Sequence, residues 1–445
     1  MTSADLAAKA QEASGTDAAK AHQSLTVWIL QTGEPLPSDT GNPRPMRAMN
    51  LAAALVAAGH KVVLWSSSFY HQEKRHRVPG DARIDVMPGL QVRLVASPGY
   101  GRNIGPGRLW DHAVLARNLA RALASEDVAP DVGFVGYPPI ETAAVMTRWL
   151  KLRGVPSMLD VKDQWPTIFT DPLPGPLRPL GRLALAPYFH YGRRAMRDAS
   201  ALSAMASDFL QWAASFAGRE VQEMDMVVPL TVPMGQVSAD ALAEADHWWD
   251  AQGVVADGRT RICFVGSHSP AFDIEPVYQA AKALADKDPA YEFVLCGDGA
   301  NTPAWKARMQ GLANVRFPGW VDRAKVESLA RRSSAALAPY RNSADFMLSV
   351  PNKVIDALAL GLPILSPLQG EVTRLITGYD TGLVYGEGTG RTLADRVQEL
   401  SDQPQRCAEM ASNARRLYGE RFSFETVYGA LVRRMEELAQ GARRS

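Results

Sequence analysis

The stretch SVPNKVIDALALGLPI, residues 349–364, consists of a proline loop, a helical segment with an early acid, and a Gly-Leu-Pro exit into an apolar strand. Such a loop delivers a helix N-terminus, whose unpaired backbone N–H groups favour a phosphate. Lys353 in the first turn would add a full positive charge, and Asp356, one turn on, could accept hydrogen bonds from ribose hydroxyls. An ordinary strand–helix unit with an acid placed for the helix dipole would look the same, so these residues alone leave both interpretations open.

Two parts of the chain begin with the same order of elements. Residues 25–31, LTVWILQ, form an apolar run that is followed by a Gly/Pro-rich loop, a helical pattern and a second apolar run at residues 62–65. The order returns at residues 261–266, RICFVG, with a helix near 275–285 and a strand at 293–296. Two such βαβ openings predict an α/β protein with two tandem Rossmann-like, doubly wound domains built on parallel sheets.

Breaks in the pattern of apolar residues place the domain boundaries. Pro229, Pro233 and Gly235 interrupt the pattern, and the last helix follows the turn at residues 421–423. We predict a flexible leader over residues 1–24, an N-terminal acceptor domain over 25–228, a linker over 229–259, a C-terminal donor domain over 260–423, and a final helix and tail over 424–445.

Composition excludes several classes of protein. The chain has 445 residues with 48 Lys plus Arg against 47 Asp plus Glu, so no global field would hold a nucleic acid. Hydrophobic residues make up 46% and charged residues 21%, as in ordinary globular proteins. Three cysteines without a close pair favour a reducing compartment. Without a long apolar stretch or a signal-peptide core, we expect a cytoplasmic protein that touches a membrane only from its surface.

Residues 340–364 resemble the donor-binding segment of the GT-B retaining glycosyltransferases of family four, in which proline, Ser or Asn, Lys and an acid precede Ala-x-Gly-x-Pro. The segment DVKDQWP, residues 160–166, is similar to an Asp-x-Arg-Asp-x-Trp-Pro segment of bacterial cell-surface polysaccharide transferases in that family. Four further segments resemble the family at the expected places: GNPRPMR (41–47), FVGS (264–267), LCGDG (295–299) and FPGWV (317–321). Their order and spacing identify the chain as a family member.

The resemblance implies a GT-B fold, in which the two domains face a cleft and the C-terminal helix returns to the N-terminal domain. It implies a metal-independent enzyme that moves a sugar, with retention, from a nucleoside diphosphate sugar to an acceptor hydroxyl in polysaccharide or glycolipid assembly, without a further cofactor. Lys353 would act on the phosphates and Asp356 on the ribose. The other donor-binding residues implied are Gly266, Ser267, Gly297, Asp298, Trp320, Val321, Ser349, Pro351 and Asn352.

Asp163 is the catalytic candidate on the acceptor side. It follows the predicted strand at residues 157–161, where a carboxylate could orient or deprotonate an acceptor hydroxyl. A helix cap or an ion pair with Lys162 would explain it equally well. The other acceptor-side candidates are Gly41, Arg47, His71, Lys74, Arg75 and Arg77.

Two basic segments suggest a lipid-linked saccharide as the acceptor. The segment HQEKRHR, residues 71–77, could clamp an acceptor pyrophosphate, or it could be a solvated loop. Residues 178–194 mix arginines with leucines and aromatic residues, as an interfacial helix does, although an amphipathic helix packed on the sheet has the same pattern.

The chain also departs from the family pattern. Leu348 stands where many members carry the first of two acids, and residues 267–273 lack the Arg and Lys that commonly grip the diphosphate. A nucleotide-sugar epimerase of the same architecture and a non-catalytic nucleotide-binding scaffold remain alternatives. A dehydrogenase is disfavoured because neither βαβ opening carries Gly-x-Gly-x-x-Gly. The base, the sugar, the acceptor and the oligomeric state stay open.

Overall fold

The computed structural model describes residues 24–40, 45–103, 105–231, 237–285, 291–386 and 388–444. These residues fold into two compact units. The first unit runs to Pro229 and takes up the chain again from Val427, whereas the second extends from Leu230 to Thr426. Residues 1–23 of the predicted leader and 232–236 of the predicted linker lie outside the described residues.

The first unit is built around a large sheet. Its strands are β1 (Thr26–Leu30), β2 (Lys61–Ser67), β3 (Phe69–Tyr70), β4 (Arg75–His76), β5 (Ala82–Met87), β6 (Leu90–Val95), β7 (Val132–Tyr137), β8 (Ser157–Val161), β9 (Ala201–Ala204) and β10 (Met226–Val227). Among the described residues, eight of them form one sheet in the order β10-β9-β8-β7-β1-β2-β6-β5, and β3 pairs with β4 in an antiparallel hairpin. The described pairings within the large sheet are parallel except at β5, which runs antiparallel to β6. The predicted parallel sheet is confirmed, with an antiparallel edge strand that the sequence analysis missed.

Helices connect these strands. They are α1 (Arg47–Ala57), α2 (Pro106–Ala124), α3 (Ile140–Leu152), α4 (Thr167–Thr170), α5 (Arg178–Ala184), α6 (Ala186–Asp198) and α7 (Ser207–Ala217). A short 3-10 turn, Gly175–Leu177, precedes α5.

The second unit repeats the doubly wound plan. Its strands are β11 (Thr260–Val265), β12 (Tyr291–Cys296), β13 (Val315–Gly319), β14 (Ala335–Leu337), β15 (Ile364–Ser366) and β16 (Gly382–Val384). They form one parallel sheet in the order β13-β12-β11-β14-β15-β16. The helices are α8 (Ala239–Ala251), α9 (Glu275–Ala285), α10 (Thr302–Arg308), α11 (Arg323–Arg331), α12 (Ala344–Met347), α13 (Asn352–Leu360), α14 (Glu371–Tyr379), α15 (Leu393–Asp402) and α16 (Pro404–Leu417), followed by a π-helical turn, Tyr418–Phe422. Two Rossmann-like domains are therefore confirmed.

The final helix, α17 (Phe424–Arg444), belongs to the first unit from Val427 onward. His60 Nε2 lies 2.9 Å from Glu436 Oε1. Arg443 Nη2 lies 2.6 Å from Asp131 Oδ1. These contacts tie the end of the described chain to loops at the start of β2 and β7.

Apolar strands build the core of each unit because both faces of a parallel sheet are covered by helices. Every residue of β7 and of β12 is buried, which explains why both read as continuous apolar runs. In the first unit the ring of Trp28 packs between those of Trp65 and Trp149. In the second, Phe264 packs against Phe272 and Trp305.

The strand orders place one switch point in each sheet. In the first unit the chain runs outward from β1 in one direction and from β7 in the other, and in the second unit β11 and β14 play these parts. Ligands of open α/β sheets bind beyond the carboxyl ends of the strands at such points. Each unit therefore has one candidate site, at the carboxyl ends of the strands beside its switch point.

Candidate functional site

Lys353 occupies the switch point of the second unit. It lies in the first turn of α13, and its Nζ donates a hydrogen bond to the carbonyl oxygen of Val265, at the end of β11. The ammonium group also lies 4.6 Å from the ring centroid of Phe264 and 5.3 Å from that of Phe272. Burial lowers the pKa of Lys353 to about 8, against a smaller opposing effect of Asp356. A cation that is largely withdrawn from water therefore lies at the carboxyl end of the central strand.

Two glycines let the backbone approach this cation closely. Gly266 has φ +145°, and a Cβ built on it would overlap Lys353 Nζ. Gly297 has φ +121°, and a Cβ there would overlap the carbonyl oxygen of Gly266. The N–H of Gly266 donates to Cys296 O at 3.1 Å, and that of Gly297 donates to Gly319 O at 2.7 Å. The ends of β11, β12 and β13 thus form a floor without side chains beside Lys353.

The next turn holds a histidine that the sequence analysis did not single out. His268 is buried, its Nδ1 lies 2.8 Å from Thr302 Oγ1, and its ring stacks on Trp305. Its backbone N–H donates to Asp298 O at 2.9 Å. Hydrogen bonds from Thr302 and from the Gly299 amide lower the pKa of Asp298, which keeps this exposed carboxylate ionised. His268 thus fixes the turn that carries Asp298.

The other donor-side candidates line the same edge of the sheet with different exposure. Ser349 and Pro351 are buried before α13, whereas Asn352 and Ser267 are exposed and Asp356 and Val321 are half-buried. Trp320, directly after β13, has a side chain that is 67% exposed. An indole held open at the end of a strand offers a face for a base to stack on. The structure therefore brings Gly266, Gly297 and Lys353 into contact and leaves Trp320 at the rim.

The switch point of the first unit holds a pocket of about 190 Å³. Asp163 and His71, both predicted on the acceptor side, line it. Asp163 is exposed and follows β8 after Lys162, whose Nζ pairs with Glu34. Lys162 and Glu34 line the pocket as well. The remaining lining residues are Gln31, Thr32, Gly33, Met46, Ser67, Phe69, Tyr100, Arg108, Asp111, His112, Leu115, Pro138 and Pro139.

Arg47 lies deeper than an exposed acceptor contact would. It is buried at the start of α1, with its Nε 3.4 Å from Asp160 Oδ2, and Asp160 also accepts from Ser203 Oγ at 2.9 Å. Arg47 therefore takes part in a buried ion pair behind the pocket. Gly41 lies outside the described residues.

The basic segment does not form a single cluster. Arg77 is buried and bidentate to Asp39, at 2.7 and 2.8 Å, and it also donates to the carbonyl of Glu34 at 3.0 Å. Arg75 is exposed and pairs with Glu73. Lys74, by contrast, donates from Nζ to the carbonyl oxygen of His71 at 2.6 Å, near the pocket. Lys74, Arg75 and Arg77 therefore lie in three different environments.

Two ionisable residues of this region escaped the sequence analysis. His112 Nδ1 lies 3.7 Å from Glu141 Oε2, and both side chains are buried. Burial lowers the pKa of His112 to about 4, with a further lowering by Arg108. Burial also raises the pKa of Glu141 to about 7. The only signal in the sequence was an acid in the first turn of a helix, which is common in helices generally.

The segment at residues 178–194 divides into two helices with different surroundings. None of the residues of α5 is buried, and Leu180 and Leu183 have side chains that are 62% and 73% exposed. In α6, by contrast, Phe189 and Met196 are buried. Thus α6 packs on the unit, as one of the two interpretations expected, whereas α5 exposes its leucines.

No group of three or more His, Cys, Asp or Glu residues in the described part of the chain could hold a metal ion. Among the described helices, none has the length and apolar character needed to cross a bilayer.

Comparisons with known proteins bear on both units. Residues 46–229 match the family model "Glycosyl transferase 4-like domain", and residues 259–403 match "Glycosyl transferases group 1". The putative colanic acid biosynthesis glycosyltransferase WcaL of Escherichia coli is 24% identical over 28% of this chain and 31% of its own length. The alpha-D-kanosaminyltransferase of Streptomyces kanamyceticus is 24% identical over 38% of this chain and 43% of its own length. The chain thus matches less than half the length of these relatives.

Solved structures with the same fold extend over nearly the whole chain. The sucrose-phosphate synthase of Thermosynechococcus elongatus has a TM-score of 0.64 at 14% identity and covers 94% of this chain and 100% of its own. HepE of Anabaena, solved in complex with UDP, has a TM-score of 0.58 at 15% identity, with 93% and 100% of the two chains covered. At these identities the likeness establishes the architecture of both units.

Proposed function

Because this chain belongs to the GT-B glycosyltransferases, with a 4-like domain followed by a group 1 domain, we propose that it transfers a sugar from a nucleoside diphosphate sugar to an acceptor hydroxyl. The donor binds to the second unit and the acceptor to the first. The reaction serves the assembly of a cell-surface polysaccharide or glycolipid, in line with the relative named for colanic acid biosynthesis.

The observation that carries this proposal is the contact of Lys353 with the glycine floor at Gly266. A diphosphate at this place contacts the N-terminus of α13 and the glycine floor at the ends of β11 and β12. It also contacts the ammonium group of Lys353, which is already largely shielded from water and therefore costs little to desolvate. Trp320 offers its exposed indole to the base. Asp356, half-buried one turn along α13, takes the ribose hydroxyls. UDP and UDP-glucose in the HepE structures support a donor of this class.

Charge development explains how this site would assist transfer. As the bond between sugar and phosphate breaks, negative charge grows on the leaving diphosphate. The helix N-terminus and the ammonium group of Lys353 are already oriented to stabilise that charge. We assign independence of a metal ion on this basis. Retention of configuration is assigned on the resemblance of residues 340–364 to retaining enzymes.

Asp163 orients the acceptor hydroxyl in this proposal. It is exposed at the rim of the first unit's pocket, within reach of a saccharide that enters it. The leaving phosphate then helps to take the proton from the hydroxyl. The acceptor is a saccharide or a lipid-linked saccharide, and the leucines of α5 support contact with the cytoplasmic face of a membrane.

Product analysis with the full chain tests the proposal. The protein is incubated with UDP-, GDP-, CDP- and dTDP-sugars, with and without a saccharide or glycolipid fraction, and with EDTA in a parallel series. We expect acceptor-dependent release of one nucleoside diphosphate, a product with the donor's anomeric configuration, and activity that survives EDTA. Interconversion of the donor sugar without any acceptor would indicate an epimerase, and failure to bind every nucleotide would indicate a scaffold.

A further inference from the structure

Arg108 lines the first unit's pocket, Lys74 lies beside the Tyr100 ring that also lines it, and neither cation forms an ion pair with a carboxylate in the described part of the chain. Arg108, near the start of α2, donates from Nη1 to the carbonyl oxygen of Asn103 at 2.9 Å, and its Nε lies 3.5 Å from His112 Nε2. Lys74 Nζ donates to the carbonyl of His71 and lies 3.1 Å from His71 Nδ1. Every one of these partners is neutral or basic.

The other basic residues near the pocket differ in this respect. Lys162 pairs with Glu34, Arg77 with Asp39, and Arg75 with Glu73. Their charges are therefore compensated inside the protein.

An aromatic ring holds the two uncompensated cations together. The ring centroid of Tyr100 lies 4.7 Å from Lys74 Nζ and 5.8 Å from the guanidinium carbon of Arg108. Arg108 also lies 5.0 Å from the ring centroid of Trp165. Cation–π contacts with two rings help to hold the guanidinium in place without using its hydrogen-bond donors.

The acids that line the pocket have partners inside the protein, and one of them, Asp111, lies one turn along α2 from Arg108. Asp111 accepts hydrogen bonds from the hydroxyl of Ser97 and, at 2.7 Å, from the backbone N–H of Gly99. Asp163 lies after β8 and also lines the pocket. The two cations also affect the pKa values of the neighbouring histidines. After burial, which has the largest effect, Lys74 and Arg108 lower the pKa of His71, and Arg108 lowers that of His112. Behind His112, burial raises the pKa of Glu141, and Arg108 lowers it in part.

From this geometry we infer that Arg108 and Lys74, flanked by His71 and His112, bind a phosphate ester carried by the acceptor. Two cations close together match a compact dianion with several acceptor oxygens. This inference rests on the proposed function, because it names the class of acceptor for that same reaction. The phosphate can belong to a soluble sugar phosphate or to a lipid headgroup.

The test compares Arg108→Gln with Arg121→Gln in the full chain. Arg121 lies on the same helix, is exposed, and has Asn118 as its polar partner, so its replacement removes the same charge away from the pocket. The probe is glycerol 3-phosphate, titrated by calorimetry at low salt, with glycerol as the uncharged control. We expect binding to the parent and to Arg121→Gln, and binding at least about tenfold weaker to Arg108→Gln. No binding to the parent, or equal affinity for all three proteins, would overturn the inference.

A second arm separates the two sources of phosphate. Vesicles of phosphatidylcholine with and without phosphatidic acid are mixed with the same three proteins. Loss of binding to phosphatidic acid in Arg108→Gln alone assigns the site to a lipid phosphate, whereas unchanged vesicle binding with weakened glycerol 3-phosphate binding assigns it to a soluble one. UDP is titrated in parallel: equal UDP affinity in all three proteins separates this inference from the donor site, whose failure would show as lost UDP binding in the parent.

Discussion

Gly266 and Lys353 occupy adjoining space so tightly that a Cβ at position 266 would overlap Lys353 Nζ. Gly266 directly follows β11, and Lys353, which is 87 residues further along the chain, lies in the first turn of α13. The lysine therefore keeps its place only while residue 266 lacks a side chain. The close contact of Gly266 with Lys353 thus packs the end of β11 against the first turn of α13.

Gly266→Ala should displace the ammonium group of Lys353 and strain the backbone, because φ is +145° at this position. We expect the free energy of unfolding to fall by roughly 1–3 kcal/mol and nucleoside diphosphate binding to weaken about tenfold or more. Gly311→Ala is the matched control, since Gly311 also has a positive φ but open space around its Cβ position. Denaturant unfolding and calorimetry check both effects. Nucleotide affinity that falls equally in the two variants would contradict a specific role of the contact.

Diphosphate binding should take up protons near pH 8. The pKa of Lys353 is lowered to about 8 in the free protein, and an anion beside the ammonium group favours its protonated form. Affinity should therefore fall as pH rises above 8, by up to about tenfold per pH unit. Calorimetry in buffers of different ionisation enthalpy measures the uptake. Lys353→Met should abolish it, and an uptake that persists in this variant would assign the proton to another group.

Glu141→Gln should stabilise the protein at pH 8 and not at pH 4.5. The pKa of Glu141 rises from 4.5 to about 7 on folding, so the native state holds a proton that the unfolded chain has lost between these values. Stability of the parent relative to the variant therefore declines as pH rises through that window, by on the order of 3 kcal/mol in total. Urea unfolding at several pH values checks this, with exposed Glu220→Gln as the control; a constant difference across the window would be inconsistent with the buried carboxyl.

Replacing Leu180 and Leu183 by serine should weaken binding to anionic vesicles without lowering stability, because both side chains are more than half exposed. Burial of a leucine in the acyl boundary stabilises by about 1.5–3 kcal/mol, so the double variant should bind at least tenfold more weakly. Val128→Ser, at an exposed position of the same unit, is the control. Vesicle flotation decides: equal flotation of the double variant and the parent protein would remove α5 from the membrane contact.

The fold could be predicted from the sequence because parallel strands buried on both faces read as apolar runs between helices. The sequence predicts strand β8 at residues 157–161, where the structure has it. The sequence does not indicate strand β5, because all six of its residues are exposed or partly exposed and it pairs antiparallel at an edge. Helix and strand patterns report local burial, and they carry little information about such an edge.

The site was less predictable because side-chain pairing depends on distances across the chain. Arg77 looked like one member of a basic run, but Asp39, 38 residues earlier, makes it a buried ion pair. His112 and Glu141 meet from two helices that the sequence separates by a whole strand. The sequence indicates Lys353 because its motif is local. It does not indicate the contact of Lys353 with Gly266, because that contact joins distant segments of the chain.

The central claim is that the second unit binds a nucleoside diphosphate through Lys353. The most direct measurement is calorimetric titration of the full chain with UDP, GDP, CDP and dTDP, repeated with Lys353→Met and with Lys282→Met, which removes an exposed lysine of α9. The account predicts that the parent and Lys282→Met bind at least one of the four nucleotides with equal affinity, and that Lys353→Met binds it at least about tenfold more weakly while affinity for the nucleoside changes less. Absence of binding to all four nucleotides, or equal affinity of Lys353→Met and the parent, would contradict it.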